Sequence, residues 1–250
     1  MNLDDPRAEM RRLTRRSLIT GGIAAAAGFG AWEWLKSRRE DNGIYWPLRL
    51  VLRANEQITR DYFRETRLSR TFPPSAIDAP RANGGIGLEQ PVPADWSLRV
   101  TGASDSRPEF QLSLADIQAL PKVVQITEFK CIEGWSIIQQ WGGARFSDFV
   151  SKYAPDWVDY DPGNDYAGLQ TPGGEYYVGL DMDSAVHPQT LLAYELNGKP
   201  LEPKHGAPLR LAVPIKYGIK NLKRIGTISF LHTRPPDYWA EQGYDYYAGF

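Results

Sequence analysis

The stretch FKCIEGWS, Phe129–Ser136, holds the only cysteine of the chain, Cys131. It overlaps KVVQITEF, Lys122–Phe129, where β-branched and aromatic residues partly alternate with polar ones, and this pattern predicts a strand. Gly134 breaks the alternation and allows the backbone to turn. We therefore expect Cys131 to lie where a strand ends, with the carboxylate of Glu133 close to it in the chain.

Two interpretations of this lone thiol follow from its neighbours. Cysteine often serves as a small buried hydrophobic residue. As a thiolate it is instead a nucleophile or a metal ligand, and Lys130 favours the thiolate whereas Glu133 opposes it. Both interpretations stay open on this stretch alone.

The composition limits the class of protein. A chain of 250 residues can form one sizeable domain with extensions. Its formal charge of −1 and pI near 6.3 provide no basic field for nucleic acid, so no nucleic-acid partner is expected. The 19 prolines and 23 glycines indicate many turns between short elements, which favours a strand-rich α+β domain. One cysteine excludes a disulfide within the chain.

Residues 1–40 are interpreted as a targeting segment. Thr14–Ile19, TRRSLI, resembles a twin-arginine export signal, and an apolar run extends from Gly21 to Trp34. The alternative is the basic region of an ordinary secretory signal. Cleavage near Ala25–Ala27 would remove the segment, whereas retention would leave an anchor, although the run is short of the roughly 20 apolar residues of a spanning helix. We expect twin-arginine export to the periplasm.

Residues 41–75 predict an amphipathic linker helix, which either packs on its own domain or lies on a membrane surface. Prolines and glycines are frequent in Thr71–Gly87, so a domain boundary is expected near Phe72. The main domain is then predicted over residues 76–236, with a C-terminal tail at 237–250. Asn83 precedes two glycines whose backbone can approach a ligand closely.

The main domain is predicted to contain short strands separated by short helices. Alternating apolar residues, the turn residues Asn197-Gly198 and the helix cap Ser113 define these elements. We expect strands at Ser97–Gly102, Lys122–Phe129, Tyr166–Thr171, Tyr176–Leu180, Leu191–Leu196, Leu209–Val213 and Ile225–Leu231. Helices are expected from the Ser113 cap to Pro121 and at Phe146–Tyr153.

Cations are concentrated between the last two strands. His205–Arg210 leads into Lys216–Arg224, which together combine a histidine, an aromatic ring, glycines and several cations. Arginine can hold a phosphate bidentately, lysine supplies a point charge, and backbone N–H groups near glycine complete an anion site. A solvated basic loop is the alternative, since no Walker A loop or dinucleotide fingerprint is present. His187 is interpreted as structural, and His232 has no assigned role.

Five motifs occur in a fixed order: FKCIEGWS, WGGARFSDF, AVHPQTLLAYELNGKPL, HGAPLRLAVP and KYGIKNLKRI. In this order they resemble the sulfite oxidase-like molybdopterin oxidoreductases, and the resemblance covers about Trp96 to Pro236. Within that family they are most similar to the catalytic subunits of bacterial periplasmic protein-methionine-sulfoxide reductases. The resemblance implies the α+β sulfite oxidase molybdopterin-binding fold, with mixed short-stranded sheets and inserted short helices.

The resemblance also implies a role for each matching residue. Cys131 matches the cysteine whose thiolate binds molybdenum beside the two dithiolene sulfurs of one pyranopterin, and a soft thiolate suits such a centre. Glu133 would face the substrate; the alternative is that it points away from the metal and pairs with Lys130 or Arg145. The pterin and its phosphate would be held by Thr171, His205, Arg210, Asn221, Leu222 and Lys223. His205 replaces an asparagine of the reductases and matches many sulfite oxidases, and Asn83 is an upstream pterin contact in a segment that departs from the reductase pattern.

The implied reaction is oxygen-atom exchange with a small substrate. Sulfite oxidases of animals and plants follow their cysteine with Gly-Asn-Arg, which helps to build a cationic pocket. Here a carboxylate, Glu133, stands in the corresponding stretch and would repel sulfite, so reduction of neutral S- or N-oxides is expected. Trp135 would supply an apolar wall suited to a thioether.

The resemblance and the motifs that are absent also bear on the partners and on alternative functions. No C-x-x-C-H haem motif is present, so electrons are expected from a separate partner, a membrane heme protein in the relatives. Because the chain ends at Phe250 without the dimerisation domain usual in sulfite oxidases, a monomer is expected. The alternatives are sulfite oxidation on the same cofactor, a metal-free hydrolase or transferase with Cys131 as nucleophile and His187 or His205 as base, and a noncatalytic membrane-tethered binding module.

Overall fold

The structure is a computed structural model that describes residues 6–102, 109–154 and 165–249. The chain divides into two compact units, residues 1–51 and 52–250. This boundary lies N-terminal to the one predicted near Phe72. The predicted segments 1–40 and 237–250 include residues 1–5 and 250, which lie outside the described residues, and the predicted division at 76–236 stays a prediction.

In the described part of the first unit, the first element is a long helix, α1 (Pro6–Lys36), with large exposed apolar side chains that include Phe29 and Trp32. A hairpin of β1 (Glu40–Asp41) and β2 (Ile44–Tyr45) follows. Its turn residues have positive φ, as expected for an Asn-Gly pair. Within the described residues, no helix combines the length and the apolar character needed to cross a membrane.

The second helix, α2 (Trp46–Tyr62), continues into the second unit, where it packs on the domain. Glu56 is buried and pairs with Arg234 at 2.6 Å. Further along, Phe72 donates its backbone N–H to Ile126 at 3.0 Å, so the extended segment after α2 pairs with a strand of the domain. For residues 52–75, which lie in the second unit, these contacts agree with the first of the two alternatives, packing on their own domain.

The remaining elements are short, as the many prolines and glycines predict. In chain order they are β3 (Leu98–Thr101), β4 (Phe110–Leu112), α3 (Leu114–Gln118), β5 (Lys122–Lys130), β6 (Ser136–Arg145), α4 (Phe146–Tyr153), β7 (Tyr166–Gln170), β8 (Tyr177–Asp181), α5 (Met182–Ala185), β9 (Leu191–Leu196), β10 (Lys199–Pro200), β11 (Arg210–Ala212), β12 (Thr227–Leu231) and α6 (Tyr238–Glu241). The strands and helices predicted for this part are all found: the strand ends differ by at most two residues, and α3 ends at Gln118, three residues before the predicted end at Pro121.

These strands form two sheets, which share a main buried cluster, and a smaller cluster around Trp141 lies on the first sheet. The first has the order β10-β9-β6-β5, with β11 paired to β9, and is antiparallel. The second has the order β4-β3-β12-β7-β8, in which only the β3–β12 pairing is parallel. Side chains from both sheets and from α4, including Val100, Phe146, Leu211 and Phe230, form the main buried cluster. The α+β class is therefore confirmed.

Strand β6 is the longest strand of the described chain, and the sequence analysis did not predict it. Its sequence, SIIQQWGGAR, does not alternate between apolar and polar residues: a glutamine, Gln139, occupies a buried position, and two glycines follow Trp141. The glycines lie at an irregularity in the pairing with β9. A Cβ at Gly143 would lie 2.2 Å from the Leu192 carbonyl oxygen, so this close approach of two backbones requires glycine.

Candidate active site

Cys131 lies directly after β5, at the start of the turn that leads into β6. The turn is closed by two backbone hydrogen bonds, from Cys131 N–H to Trp135 at 2.9 Å and from Gly134 N–H back to Cys131 at 3.2 Å. Gly134 adopts φ +85°, a conformation that favours glycine. The predicted position of the thiol at the end of a strand is thus confirmed, and its side chain is only 8% exposed.

The thiol faces a cavity of about 200 Å³. The side-chain amide of Asn83 donates to Cys131 Sγ at 3.4 Å, so this upstream residue directly contacts the sulfur. A cavity of this volume is far larger than the space of one water, about 30 Å³, so a small organic group fits in it. Six of the predicted site residues line it: Asn83, Cys131, Glu133, Arg210, Asn221 and Lys223.

Two cations line the cavity: Arg210, which is buried, and Lys223, which is half-buried. Arg210 donates to the carbonyls of His205 at 2.9 Å and Asn221 at 3.2 Å, and its guanidinium stacks on Trp141. Lys223 donates to the carbonyls of Asn83 and Gly84. Burial lowers the pKa of Arg210 to about 10; burial, together with the neighbouring Arg210, lowers that of Lys223 to about 8.

Uncompensated cations of this kind indicate an anionic ligand. All the hydrogen-bond acceptors of Arg210 and Lys223 among the described residues are neutral carbonyl oxygens. A charge held in a buried site is costly unless an opposite charge compensates it. The cavity therefore suits a ligand that brings a negative group, such as a phosphate, to Arg210 and Lys223.

Three predicted residues lie behind the cavity wall and do not line it. Thr171 is fully buried, donates to Glu175 at 3.0 Å and accepts the N–H of Tyr176 at 3.2 Å, so it positions that wall residue. His205 is buried and supports Arg210 through its backbone carbonyl; burial lowers the pKa of its imidazole. Leu222 packs into the core and accepts the N–H of Leu211 at 2.9 Å.

Glu133 is exposed and lies at the mouth of the cavity. Its carboxylate accepts a hydrogen bond from the Trp135 indole at 2.8 Å. Trp135 in turn packs against Phe129 and lies under the guanidinium of Arg81, 4.0 Å from its ring centre. The expectation that Trp135 forms an apolar wall of the pocket is wrong, because the turn directs its ring to Arg81 and Phe129 and it does not line the cavity.

Other side chains supply the apolar wall, and the sequence analysis missed them. Trp239 and Tyr244 come from the segment interpreted as a tail, and Ile86 precedes the first strand of the domain. The only sequence signal was the density of aromatic residues in DYWAEQGYDYY, which is also typical of core packing. Tyr176 lines the cavity as well; its hydroxyl donates to the carbonyl of Ile219, and burial raises its pKa.

The histidines proposed as bases for a thiol nucleophile are placed elsewhere. His187 is buried beside Phe63, and its Nδ1 accepts the N–H of Gln189 at 3.2 Å. Neither His187 nor His205 lines the cavity that contains Cys131. A Cys-His pair of the hydrolase type needs the two side chains within hydrogen-bond reach, so the geometry does not favour that alternative.

A family model described as an oxidoreductase molybdopterin binding domain matches residues 87–239. The chain belongs to this family. Membership in the molybdopterin-binding oxidoreductases confirms the predicted enzyme class, the predicted cofactor, molybdopterin with molybdenum, and the predicted family resemblance. The metal-free hydrolase alternative is therefore wrong. Asn83 lies outside the matched residues, although it contacts Cys131 Sγ.

Individual relatives cover different shares of the chain. A candidate protein-methionine-sulfoxide reductase subunit, YedZ1, of Azospira oryzae is 29% identical over 96% of this chain and 87% of its own length. The protein-methionine-sulfoxide reductase catalytic subunit MsrP of Xanthomonas campestris is 35% identical over 58% of this chain. The matched part spans 47% of that relative, about half its length. The sulfane dehydrogenase SoxCD from Paracoccus pantotrophus has 15% identity and a TM-score of 0.48, over 68% of this chain and 46% of that chain.

The cavity residues fit the cofactor of this family of oxidoreductases. Cys131 offers a soft sulfur ligand for molybdenum, and Asn83 donates a hydrogen bond to that sulfur. The buried Arg210 and the half-buried Lys223 suit the terminal phosphate of the pterin, and Asn221 lines the cavity beside them. The role of each residue stays a prediction, which the variants below test.

Proposed function

We propose that the protein reduces neutral S- or N-oxides. The observation that carries the proposal is the position of Glu133, whose exposed carboxylate lines the cavity that contains Cys131. A negative charge there repels sulfite, an anion, and leaves a neutral sulfoxide unaffected. Two similar proteins have names that include protein-methionine-sulfoxide reductase, which supports the same direction of reaction.

The chain's own contribution to this reaction is to bind and to orient. When bound, the cofactor supplies the redox chemistry: the sulfoxide takes up two electrons and two protons and yields a thioether and water. Cys131 would hold the metal, and Arg210 and Lys223 would hold the phosphate. Asn83 would fix the sulfur of Cys131 through its amide, since a hydrogen bond to a ligand restricts its orientation.

Glu133→Gln is expected to improve the use of sulfite and to leave sulfoxide reduction unchanged. The substitution removes the charge and keeps the shape of the side chain. Exposed charges a few ångströms apart interact weakly in water, so kcat/KM for sulfite should rise by only about fivefold. The measurement is steady-state kinetics with both substrates, using a reduced dye as donor for sulfoxides and an oxidised dye as acceptor for sulfite.

Glu128→Gln is the matched control. Glu128 lies on β5 and pairs with Ser136 and Lys130, outside the cavity lining. It should change neither activity. Efficient sulfite oxidation by the unmodified protein, with a KM that Glu133→Gln does not alter, would contradict the proposal and favour sulfite oxidation.

We also propose that the protein is exported by the twin-arginine route. The support is the sequence TRRSLI ahead of an apolar run within α1. Arg15→Lys with Arg16→Lys retains the charge and removes the arginine pair, so cell fractionation should find the protein in the cytoplasm. Arg11→Lys with Arg12→Lys is the control and should still reach the periplasm. Unchanged periplasmic activity of the first variant would exclude this route.

The electron donor and the assembly state complete the proposal. We propose a membrane heme protein as donor, because the motifs resemble those of reductases that use such a partner, and a monomer as the working form. An N-terminus retained as an anchor would hold the enzyme near a membrane donor. A cleaved N-terminus would leave the enzyme to reach the donor by diffusion.

A further inference from the structure

The C-terminal segment Asp237–Gly249 forms part of the cavity that holds Cys131. Trp239, within α6, and Tyr244, after it, both line that cavity. The family match ends at residue 239, so Tyr244 lies beyond the part of the chain that resembles the common domain. The segment therefore adds a feature to the cavity that the family match does not account for.

The backbone of this segment is held firmly by buried lysines and tyrosines. Lys220 is fully buried, pairs with Asp237 and donates to the Gly179 carbonyl at 2.9 Å. Asp237 also accepts the N–H of Ala240 at 3.0 Å, which caps α6. After α6, the Tyr246 hydroxyl donates to the carbonyl of Pro235 at 3.2 Å.

A second anchor lies at the end of the segment. The ring of Tyr247 packs on the buried ammonium of Lys216, 2.8 Å from the ring centre, and Tyr217 donates its N–H to Ala248 at 2.8 Å. Because both ends of the segment are fixed, the side chains between them occupy defined positions. Trp239 and Tyr244 are thus presented to the cavity as a rigid pair.

The two rings contact each other edge to face, with centres 5.2 Å apart and an interplanar angle of 84°. The N–H of Tyr244 donates to the carbonyl of Trp239 at 3.0 Å, which fixes their spacing. Phe129, Ile132 and Ile219 line the same cavity. An apolar and aromatic surface therefore lies within the cavity that also contains the polar residues assigned to the cofactor.

The exposure of the side chains separates the floor of the cavity from its mouth. Arg210 is 3% exposed, Asn221 is 6% exposed and Cys131 is 8% exposed, whereas Tyr244 is 41% exposed. The three deeply buried groups are all assigned to the cofactor, while Asn83 and Lys223, which are also assigned to it, are half-buried. An aromatic ring that is both exposed and part of the cavity lining is placed to meet an incoming substrate.

We propose that Trp239 and Tyr244 form a recognition wall that selects S-oxides with an aromatic or bulky apolar substituent over small sulfoxides. This inference rests on the proposed function. The sulfoxide oxygen would point to the metal held by Cys131, and the substituent would pack against the two rings. In the reaction the sulfur–oxygen bond breaks, the sulfur gains an electron pair from two donor electrons, and the oxygen leaves as water with two protons.

Kinetics with two sulfoxides test the wall. The holoenzyme, with reduced benzyl viologen as donor, should reduce methyl phenyl sulfoxide with at least about tenfold higher kcat/KM than dimethyl sulfoxide, since aromatic packing and area burial both favour the larger substrate. Tyr244→Ala and Trp239→Ala should each lower this ratio by about fivefold through KM for the aryl substrate. Tyr244→Phe should retain the ratio, and Tyr62→Ala, at an exposed ring outside the cavity, should not alter it.

Binding of the product analogue thioanisole to the oxidised holoenzyme, measured by calorimetry, does not require turnover. The Kd should rise by about fivefold in Tyr244→Ala. Equal Kd values in the unmodified protein and Tyr244→Ala would contradict the proposed recognition wall, because the ring would then make no contact with the substrate. A loss of molybdenum or pterin in Tyr244→Ala would contradict it too, because the ring would then hold the cofactor. Binding that weakens as expected in an enzyme that reduces neither sulfoxide would overturn the proposed function and leave the wall in place.

Discussion

Cys131→Ser is expected to abolish turnover with every substrate while the domain stays folded. Serine is only slightly smaller than cysteine, so it fits the buried turn. Its oxygen is a hard ligand, however, and does not replace a thiolate on a soft metal–sulfur centre. Activity should fall by more than about hundredfold. The electronic absorption and paramagnetic resonance spectra of the metal should shift as well.

The controls for this variant concern fold and cofactor content. Thermal unfolding of Cys131→Ser should stay close to that of the unmodified protein, since the turn is closed by backbone hydrogen bonds that the substitution does not touch. Molybdenum and pterin should both be measured in the purified variant. Full turnover by Cys131→Ser would show that this thiol is not the metal ligand.

Arg210→Ala is expected to give the second largest effect, a loss of cofactor. A hydrogen bond to a charged group contributes about 1.5–3 kcal/mol, so affinity for the phosphate end of the pterin should fall by about tenfold to hundredfold. The measurement is molybdenum and pterin content per chain in protein produced under limited molybdate. Arg67→Ala, at an exposed arginine outside the cavity, should retain normal content.

Two further variants separate the binding of phosphate from the folding of the site. Arg210 also donates to three carbonyls and packs on Trp141, so its removal affects the apoprotein too. Arg210→Lys retains the charge without the planar fork and should give intermediate cofactor content. Lys223→Met retains the aliphatic stem and removes the ammonium. Normal molybdenum content in both Arg210→Ala and Lys223→Met would rule out a role for these cations in holding the cofactor.

The local chemistry of the sequence predicted the position of the thiol well. The β-branched residues before Cys131 and the glycine after it fix a strand and a turn, and both are local signals. The helix cap at Ser113 is confirmed for the same reason, because its capping box with Asp116 involves neighbours in the chain. Where a few adjacent residues determine the structure, the sequence was sufficient.

Long-range packing determined the features that the sequence analysis missed. Strand β6 is held by pairing with β5 and β9 and has a buried Gln139, so its pattern does not alternate. Trp135 was expected in the pocket, but its ring packs between Arg81 and Phe129. Side-chain direction at a turn depends on such partners, which spacing along the chain does not specify.

The active site also combines features that local sequence predicts with features that depend on long-range packing. Asn83 and Lys223 are 140 residues apart in the chain and meet through a hydrogen bond to the Asn83 carbonyl. Motif resemblance placed both residues at the cofactor, while Thr171, His205 and Leu222 proved to lie behind the wall. Tyr244 lies beyond the family match, so motif resemblance gave no signal for its place in the cavity.

X-ray absorption at the molybdenum edge tests the central claim most directly, because it counts the sulfur neighbours of the metal. The comparison is between the unmodified protein and Cys131→Ser, each loaded with cofactor and matched for molybdenum content. We predict that the metal in the unmodified protein has one sulfur neighbour more than in the variant. Equal sulfur counts in the two proteins would contradict the assignment of Cys131 as the ligand and, with it, this cavity as the active site.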